Sequence, residues 1–331
     1  MYRKIIYLAL TLLLVLGVMV PNKAYAAKGA DISTLTRQEA DGVKYKECGV
    51  IKDPLVILKN HGITIARVRL FVDPNTSDTG TAMNLAYVKA LAARCKAAGM
   101  QIMLAPHYSD SWTDPGKQTK PAAWNNLTQA QLVTRVYDYT KDICSQIKPD
   151  YTQIGNEISC GMLWPNGNCC DGNWVNLRAL ITAGHNGAKD GGGGTTIAHV
   201  SEKSAVDCKW YFDNLLAGSV SFDMIGLSYY PEYHGDLSNF KAIHTQAKSY
   251  GKDVIICEMG DYYTSAGKTE DTQAQFVKDV LAINSSAIYW EPCWVWSSPC
   301  GYRTLFKPIY EDWKNVEMTK GLVIFGGSAC P

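Results

Sequence analysis

The sequence predicts an α/β protein of one domain, folded as a closed (β/α)8 TIM barrel. Two patterns carry this reading. Past residue 26, eight short apolar runs alternate with amphipathic stretches of helical periodicity. The runs are apolar on both faces, as strands of a parallel sheet covered by helices must be. Such a barrel takes roughly 250 residues plus insertions, which the chain of 331 accommodates. An open doubly wound sheet is the alternative, but no G-x-G-x-x-G follows the first strand, which weakens its dinucleotide-binding version.

Taken in order, the expected strands are Ala30–Ser33, Ile63–Val72, Gln101–His107, Tyr151–Asn156, Thr195–Val200, Phe222–Ser228, Asp253–Glu258 and Ala287–Trp290. Helical patterns lie between them at Met83–Ala98, Thr128–Ile147, Trp174–Ala188, Ala205–Leu216, Leu237–Tyr250 and Thr272–Ile283. Glycine marks many of the helix ends, as at Gly99, Gly251 and the run Gly191–Gly194. No linker or internal repeat points to a second domain.

The first 26 residues read as a secretory leader: Arg3-Lys4, an apolar run from Ile5 to Val20, then the small-x-small site Ala24-Tyr25-Ala26. The run is shorter than the ~20 residues that span a bilayer, so cleavage after Ala26 is expected, leaving 27–331 as a secreted catalytic domain. With 32 Lys and Arg against 31 Asp and Glu, the chain lacks the basic excess of a nucleic-acid binder. Its 47% hydrophobic content excludes a disordered chain. Nine Trp and 19 Tyr against 7 Phe supply flat faces with polar edges, which suit sugars.

Export permits disulfides among the 11 cysteines. Cys293 and Cys300 could close a short loop; Cys160, Cys169 and Cys170 crowd a Gly/Asn-rich stretch where one local bridge is expected; Cys257, inside an apolar run, is the expected free thiol. No C-x-x-C pair occurs, so no metal site is expected.

In a (β/α)8 barrel, chemistry sits at the C-terminal ends of the strands. Those ends carry Arg67 and Arg69, His107 to Asp110, Asn156-Glu157, Tyr229-Tyr230, Glu258 and Trp290-Glu291. Glu157 and Glu258 end strands four and seven, on opposite sides of the mouth. Glycoside hydrolysis uses such a pair, one carboxyl as acid and one as nucleophile, about 5 Å apart when configuration is retained. Glu157 is expected to be the acid/base, kept protonated by a nearby ionised Glu258. Arg67 or Arg69 would hold Glu258 ionised, and Asn156 would bond the sugar 2-hydroxyl. Spacing alone leaves a metal-binding reading of these acidic strand ends open.

The runs His107-Tyr108-Ser109-Asp110-Ser111-Trp112, Gly155-Asn156-Glu157-Ile158, Gly161-Met162-Leu163-Trp164-Pro165, Ser228-Tyr229-Tyr230-Pro231 and Tyr289-Trp290-Glu291-Pro292-Cys293-Trp294 resemble the signatures of glycoside hydrolase family 53, the endo-β-1,4-galactanases. So do Gly29-Ala30-Asp31-Ile32-Ser33 and Arg67-Val68-Arg69. The resemblance implies a clan A barrel, retaining chemistry and action on the β-1,4-galactan of type I arabinogalactan, with no cofactor. It implies that Glu157 is the acid/base and Glu258 the nucleophile. Arg67, His107, Asn156, Tyr229, Tyr230 and Trp290 would line the innermost sugar subsite. Asp31, Arg69, Asp110, Trp112, Trp164 and Trp294 would complete the substrate-binding set, whereas Trp124 and Trp174 read as helix packing. The expected partner is the polysaccharide alone, with no nucleic acid, no membrane after cleavage, and a monomeric enzyme.

Three departures stand out. Ala105-Pro106 precede His107 where the family usually has Asp-Phe, so the carboxylate that would orient the imidazole is missing. Cys257 precedes Glu258 where small or hydroxyl residues are commoner. The connection from Met259 to Ser286 is short, and bacterial members with a calcium site carry it in a longer version, so calcium is not expected. The alternatives are another clan A specificity (mannanase or glucanase) and, from a different class, a non-catalytic sugar-binding barrel, which would not need both glutamates.

Overall fold

The computed structural model describes residues 27–264, 267–295, 303–309 and 312–329. The expected leader and Cys300 lie outside them. Eight parallel strands close on themselves: β1 (Lys28–Asp31), β2 (Ile65–Leu70), β3 (Gln101–Pro106), β4 (Tyr151–Gln153), β5 (Thr195–Val200), β6 (Met224–Tyr229), β7 (Asp253–Met259) and β8 (Ala287–Trp290). β1 pairs with β8 on one side and β2 on the other, which shuts the barrel. Closure removes both sheet edges, so no row of unpaired backbone groups is left.

Each expected strand and each expected helix is present, with ends moved by a few residues. The helices run Leu85–Ala97, Gln129–Ile147, Trp174–Gly191, Ala205–Leu216, Leu237–Lys248 and Glu270–Ile283. Side-chain caps start five of them: the Asn84, Thr128, Ser204, Asp236 and Thr269 side chains accept backbone N–H groups of the first turn. Trp124 packs edge-on against Tyr139, and Trp174 against Trp210 and Tyr211, both in the helix layer.

Alternation along the strands separates two cores. On β2, Ala66, Val68 and Leu70 face the helices within the large outer core. Ile65 faces inward and joins Met103, Ile197, Ile255, Cys257 and Ile288 in a small apolar cluster that forms the floor of the barrel. Gly29 and Gly226 make room there: a Cβ on Gly29 would lie 2.2 Å from Ile288 Cδ1, and one on Gly226 would lie 2.5 Å from Cys257 Sγ.

Two sheets were not foreseen, a two-stranded one of Gly161–Met162 and Gly167–Asn168 and a larger one. Phe306–Ile309, Asp312–Met318, Lys44–Glu47 and Val50–Ile51 form four further strands in that order. The pieces are short and charged, and they exist as strands because distant segments pair; Asn315 to Glu317 pair in parallel with Lys44 to Lys46. Tyr45 anchors this sheet to the barrel, edge-on to Phe306 and donating its hydroxyl to the Cys293 carbonyl at 2.7 Å.

The cysteines are partly as expected. Cys160 and Cys170 are bridged, and Cys48 is also in a disulfide. Cys257 is free and buried, as are Cys95, Cys144, Cys169 and Cys208. The expected loop closure at Cys293 does not occur: Cys293 is a free thiol, packed into the core with no exposed surface.

Candidate active site

A cavity of about 530 Å³ opens at the C-terminal ends of the strands, and its walls include Trp112, Asn156, Glu157, Tyr230, Glu258 and Trp290. Both glutamates reach it through local breaks in strand regularity. β4 stops at Gln153, three residues before the expected end, because Gly155 (φ +84°) turns the chain and Glu157 itself holds φ +48°. A non-glycine residue in that region is uncommon, and such positions cluster at functional sites. On β7 the pairing jumps from Leu227↔Ile256 to Ser228↔Glu258, so Cys257 is an extra, bulged residue. Strict alternation would put either Cys257 or Glu258 inside; the bulge lets Cys257 close the floor while Glu258 faces the cavity.

Arg67 organises the space under the cavity. Its guanidinium is completely buried and every nitrogen is engaged: Nε donates to Gln153 Oε1 (2.6 Å), Nη1 to Asp31, and Nη2 to Asn156 Oδ1 (2.8 Å) and Glu258 Oε1 (2.7 Å). The other Glu258 oxygen accepts the Tyr230 hydroxyl at 2.7 Å. Burial works against the Arg67 charge, but the charges of Glu258 and Asp31 outweigh it and keep the guanidinium protonated.

Glu157 has the opposite surroundings. Its Oε1 accepts the Ser228 hydroxyl at 2.6 Å. Burial, then the negative charge of Glu258, push its carboxyl up to about 8, against the pull of Ser228, Ser201 and Arg67. It therefore carries a proton at neutral pH. Two like acidic groups in one cavity thus have different partners, Arg67 and Tyr230 for Glu258 and Ser228 for Glu157.

A second ion cluster lies deeper. Arg69 Nη1 bonds Asp31 (3.0 Å) and Glu291 (2.8 Å), and Glu291 also accepts the Thr34 hydroxyl (2.6 Å). Burial opposes ionisation of Asp31, yet Arg69 and Arg67 hold it down to about 2. Burial pushes Glu291 up to about 8 against the pull of Arg69, with Asp31 adding to the rise. The face of Arg69 supports Trp112, whose ring centroid is 4.4 Å from the guanidinium carbon.

Residues 27–321 match the pattern of Glycosyl hydrolase family 53. The chain belongs to this family. It is 32% identical to a protein from Neosartorya fischeri named probable arabinogalactan endo-beta-1,4-galactanase A, over 98% of this chain and 99% of that one. Among solved structures, the Ignisphaera aggregans GH53 catalytic domain superposes with a TM-score of 0.82 at 28% identity, covering 90% of this chain and 95% of the other. A structure from work on two fungal beta-1,4-galactanases gives 0.80 at 29% identity, covering 90% and 98%. The chain is a glycoside hydrolase.

In this family 53 hydrolase, the sequence-named residues fall at three depths. Trp112, Asn156, Glu157, Tyr230, Glu258 and Trp290 reach the cavity wall. Arg67 and His107 lie directly behind it. His107 Nδ1 accepts the Thr113 backbone N–H (3.1 Å) and contacts its hydroxyl (2.9 Å), so a threonine of the following loop orients the ring in place of the missing carboxylate. Burial, then Arg67 and Arg69, hold His107 well below its ordinary value, so it is neutral with its proton on Nε2, a buried nitrogen without a partner among the described residues.

The structure places the remaining named residues away from this cavity. Asp31 and Arg69 are fully buried in the ion cluster and do not reach the cavity surface. Tyr229 faces the helices, stacked 4.2 Å from Phe240, because adjacent residues of a strand point to opposite faces. Asp110 accepts the backbone N–H groups of Asp73 and Ala122 and ties loops together. Trp294 stacks behind Trp112, with ring planes 10° apart, and Trp164 donates to the Cys160 carbonyl outside this cavity. Sequence reasoning missed the wall residues Tyr233, Lys203 and Arg303, and gave no role to the buried Gln153, His199, Ser228 and Glu291. Arg67, Gln153 and His199 had a legible signal: each is a polar side chain two positions after an apolar or aromatic one on the same strand face. Among the described residues, no three His, Cys, Asp or Glu side chains are grouped to hold a metal ion.

Proposed function

We propose that this hydrolase is a secreted, monomeric endo-β-1,4-galactanase that cleaves the β-1,4-galactan of arabinogalactan with retention of anomeric configuration. The observation that carries the chemistry is one cavity holding a carboxyl raised to about 8, Glu157, beside a carboxylate gripped by Arg67 and Tyr230, Glu258. Glu258 attacks the anomeric carbon while Glu157 gives its proton to the departing glycosidic oxygen. Forming the glycosyl ester removes the Glu258 charge, which lowers the pKa of Glu157 and lets it take a proton from the incoming water. Trp112 and Trp290 offer ring faces to the sugars. His107 Nε2–H is an unused donor just behind the wall. The galactan assignment rests on the names of the relatives, and export on the leader pattern of the first 26 residues.

Product analysis by NMR on purified galactan tests this reading: β-configured ends appearing first support it, whereas cleavage of mannan or cellulose without galactan refutes the substrate. Adding azide to Glu258→Ala should restore turnover with an inverted glycosyl azide. A Glu258→Ala enzyme with unchanged galactan hydrolysis removes Glu258 from its role.

A further inference from the structure

Beneath Glu157 runs an unbroken chain of buried hydrogen bonds contributed by four strands. Arg67 Nε donates to Gln153 Oε1 (2.6 Å). Gln153 Nε2 meets His199 Nδ1 at 2.9 Å, His199 Nε2 meets Ser228 Oγ at 2.8 Å, and Ser228 Oγ donates to Glu157 Oε1 at 2.6 Å. Arg67, Gln153 and His199 have no exposed surface, and Ser228 has 3%. Nothing in the family signatures quoted above draws these three intermediates together.

The polarity of this chain has one solution. A guanidinium has donors and no acceptor, so the amide of Gln153 must turn its oxygen to Arg67 and its NH2 to His199. Nδ1 of His199 is therefore an acceptor. Burial, with Arg67 adding to it, holds the imidazole well below its ordinary pKa, so the ring is neutral and its one proton sits on Nε2. Nε2–H then donates to Ser228 Oγ, and the only hydrogen of that hydroxyl is committed to Glu157 Oε1. An acceptor Oε1 cannot carry the carboxyl proton along the same line.

We propose that Gln153, His199 and Ser228 are positioning residues that transmit the donor polarity of Arg67 to Glu157, fixing Oε1 as an acceptor and placing the transferable proton on Oε2. This rests on Glu157 being the acid, as proposed above. The same guanidinium bonds Glu258 directly, so one arginine orients both carboxyl groups, one by contact and one through three intermediates. The other groups acting on Glu157 are Glu258, Ser201 and Tyr230, with His234 behind Ser201 at 2.9 Å, and Lys203 lines the same cavity. None of them replaces the Ser228 donor on Oε1.

Two measurements on the full-length mature enzyme test the relay. The first is the tautomer of His199, read from 15N shifts of labelled protein: the Nε2–H form is expected at pH 7, and an Nδ1–H form overturns the proposal. The second compares Ser228→Ala, Ser228→Thr and His199→Leu on aryl glycosides with good (dinitrophenyl) and poor (phenyl) leaving groups. A good leaving group needs little proton assistance. Ser228→Ala and His199→Leu should lose about tenfold or more in kcat/KM on the phenyl substrate, with little loss on the dinitrophenyl one. Ser228→Thr, which keeps a hydroxyl, should recover most of the phenyl activity. The alkaline limb of the Ser228→Ala pH profile should move upward, because a donor to the ionised carboxylate has been removed. Equal losses on both substrates with an unmoved limb are what a merely structural role gives, and they overturn the relay. Glu157→Gln run beside them separates the two levels: if it shows no leaving-group dependence, the acid assignment itself is wrong; if it does and the relay variants do not, only the relay is wrong.

Discussion

The floor and the mouth of the barrel are built by the same strands, two residues apart, and they are opposites. At the floor, Ile65, Ile197 and Ile288 meet side by side with no polar group among them. Two positions on, the same strands present Arg67, His199 and Trp290, and the space between them is filled with ion pairs and hydrogen bonds. Floor contacts are non-directional and depend on area and packing. Mouth contacts are directional, and each buried donor or acceptor there must find its partner. The contrast teaches that stability and chemistry are divided along the barrel axis, so substitutions at the two levels should fail in different ways.

The largest effect is expected at the mouth. Glu157→Gln should lower turnover of galactan by roughly 10²–10⁴-fold, the range for a positioned acid, while melting no lower than the parent by calorimetry, and Glu258→Gln should lower turnover by more. A floor substitution should do the reverse. Ile288→Ala deletes a fully buried side chain and should cost about 2–5 kcal/mol in denaturant unfolding while leaving kcat close to the parent value. A floor variant that keeps its stability but loses turnover would break the division.

A smaller effect follows from pH. Glu157, Glu202 and Glu291 are raised from 4.5 to about 8, 7 and 8, while His107, His199 and His234 are held below 6.5. Between those ordinary values the unfolded chain has lost carboxyl protons that the fold keeps, which lowers stability as pH rises. It also holds imidazole protons that the fold excludes, which raises stability, and the two trends oppose each other. Above 6.5 only the carboxyl trend remains, so stability should fall toward pH 8, by at most about 1.4 kcal/mol per pH unit for each group. Below 4.5 the histidine trend remains, joined by Asp31 as pH drops through its folded value of about 2. Unfolding measured across pH should peak between 4.5 and 6.5, where the two trends balance, and Glu202→Gln, outside the chemistry, should flatten the alkaline side.

The smallest effect is expected at one member of the ion cluster, Glu291. Glu291 carries a proton at neutral pH, so the neutral Glu291→Gln should cost less than about 1 kcal/mol. Asp31→Asn removes the carboxylate shared by two buried guanidinium groups and should cost about 3–5 kcal/mol. Comparable losses in the two variants would show that Glu291 is ionised after all.

Much of this molecule was legible in its sequence. The eight strands and six of the helices follow from apolar periodicity, and the pair Glu157 and Glu258 from their positions at strand ends. Depth was not legible. Asp31 and Arg69 stand at strand ends just as Glu258 does, yet they are sealed below the cavity, because depth is set by the side chains that cover them, here Trp112 over Arg69. The adjacent Tyr229 and Tyr230 could not be told apart until strand phase showed which faces inward. The four-stranded side sheet escaped notice because its Lys44–Glu47 strand is stabilised by a partner almost at the other end of the chain.

What the sequence by itself determined is local: where strands and helices form, where the leader pattern lies, and which residue types are available at the strand ends. What only the tertiary structure decided is the state of those residues. Whether Glu157 holds a proton, which oxygen of it accepts a bond, and which nitrogen of His199 is protonated all depend on neighbours brought from other strands, such as Arg67 reaching Gln153, 86 positions away. Propensity acts between residues close in the chain, whereas charge, burial and hydrogen-bond direction act through space, and folding is what converts one into the other.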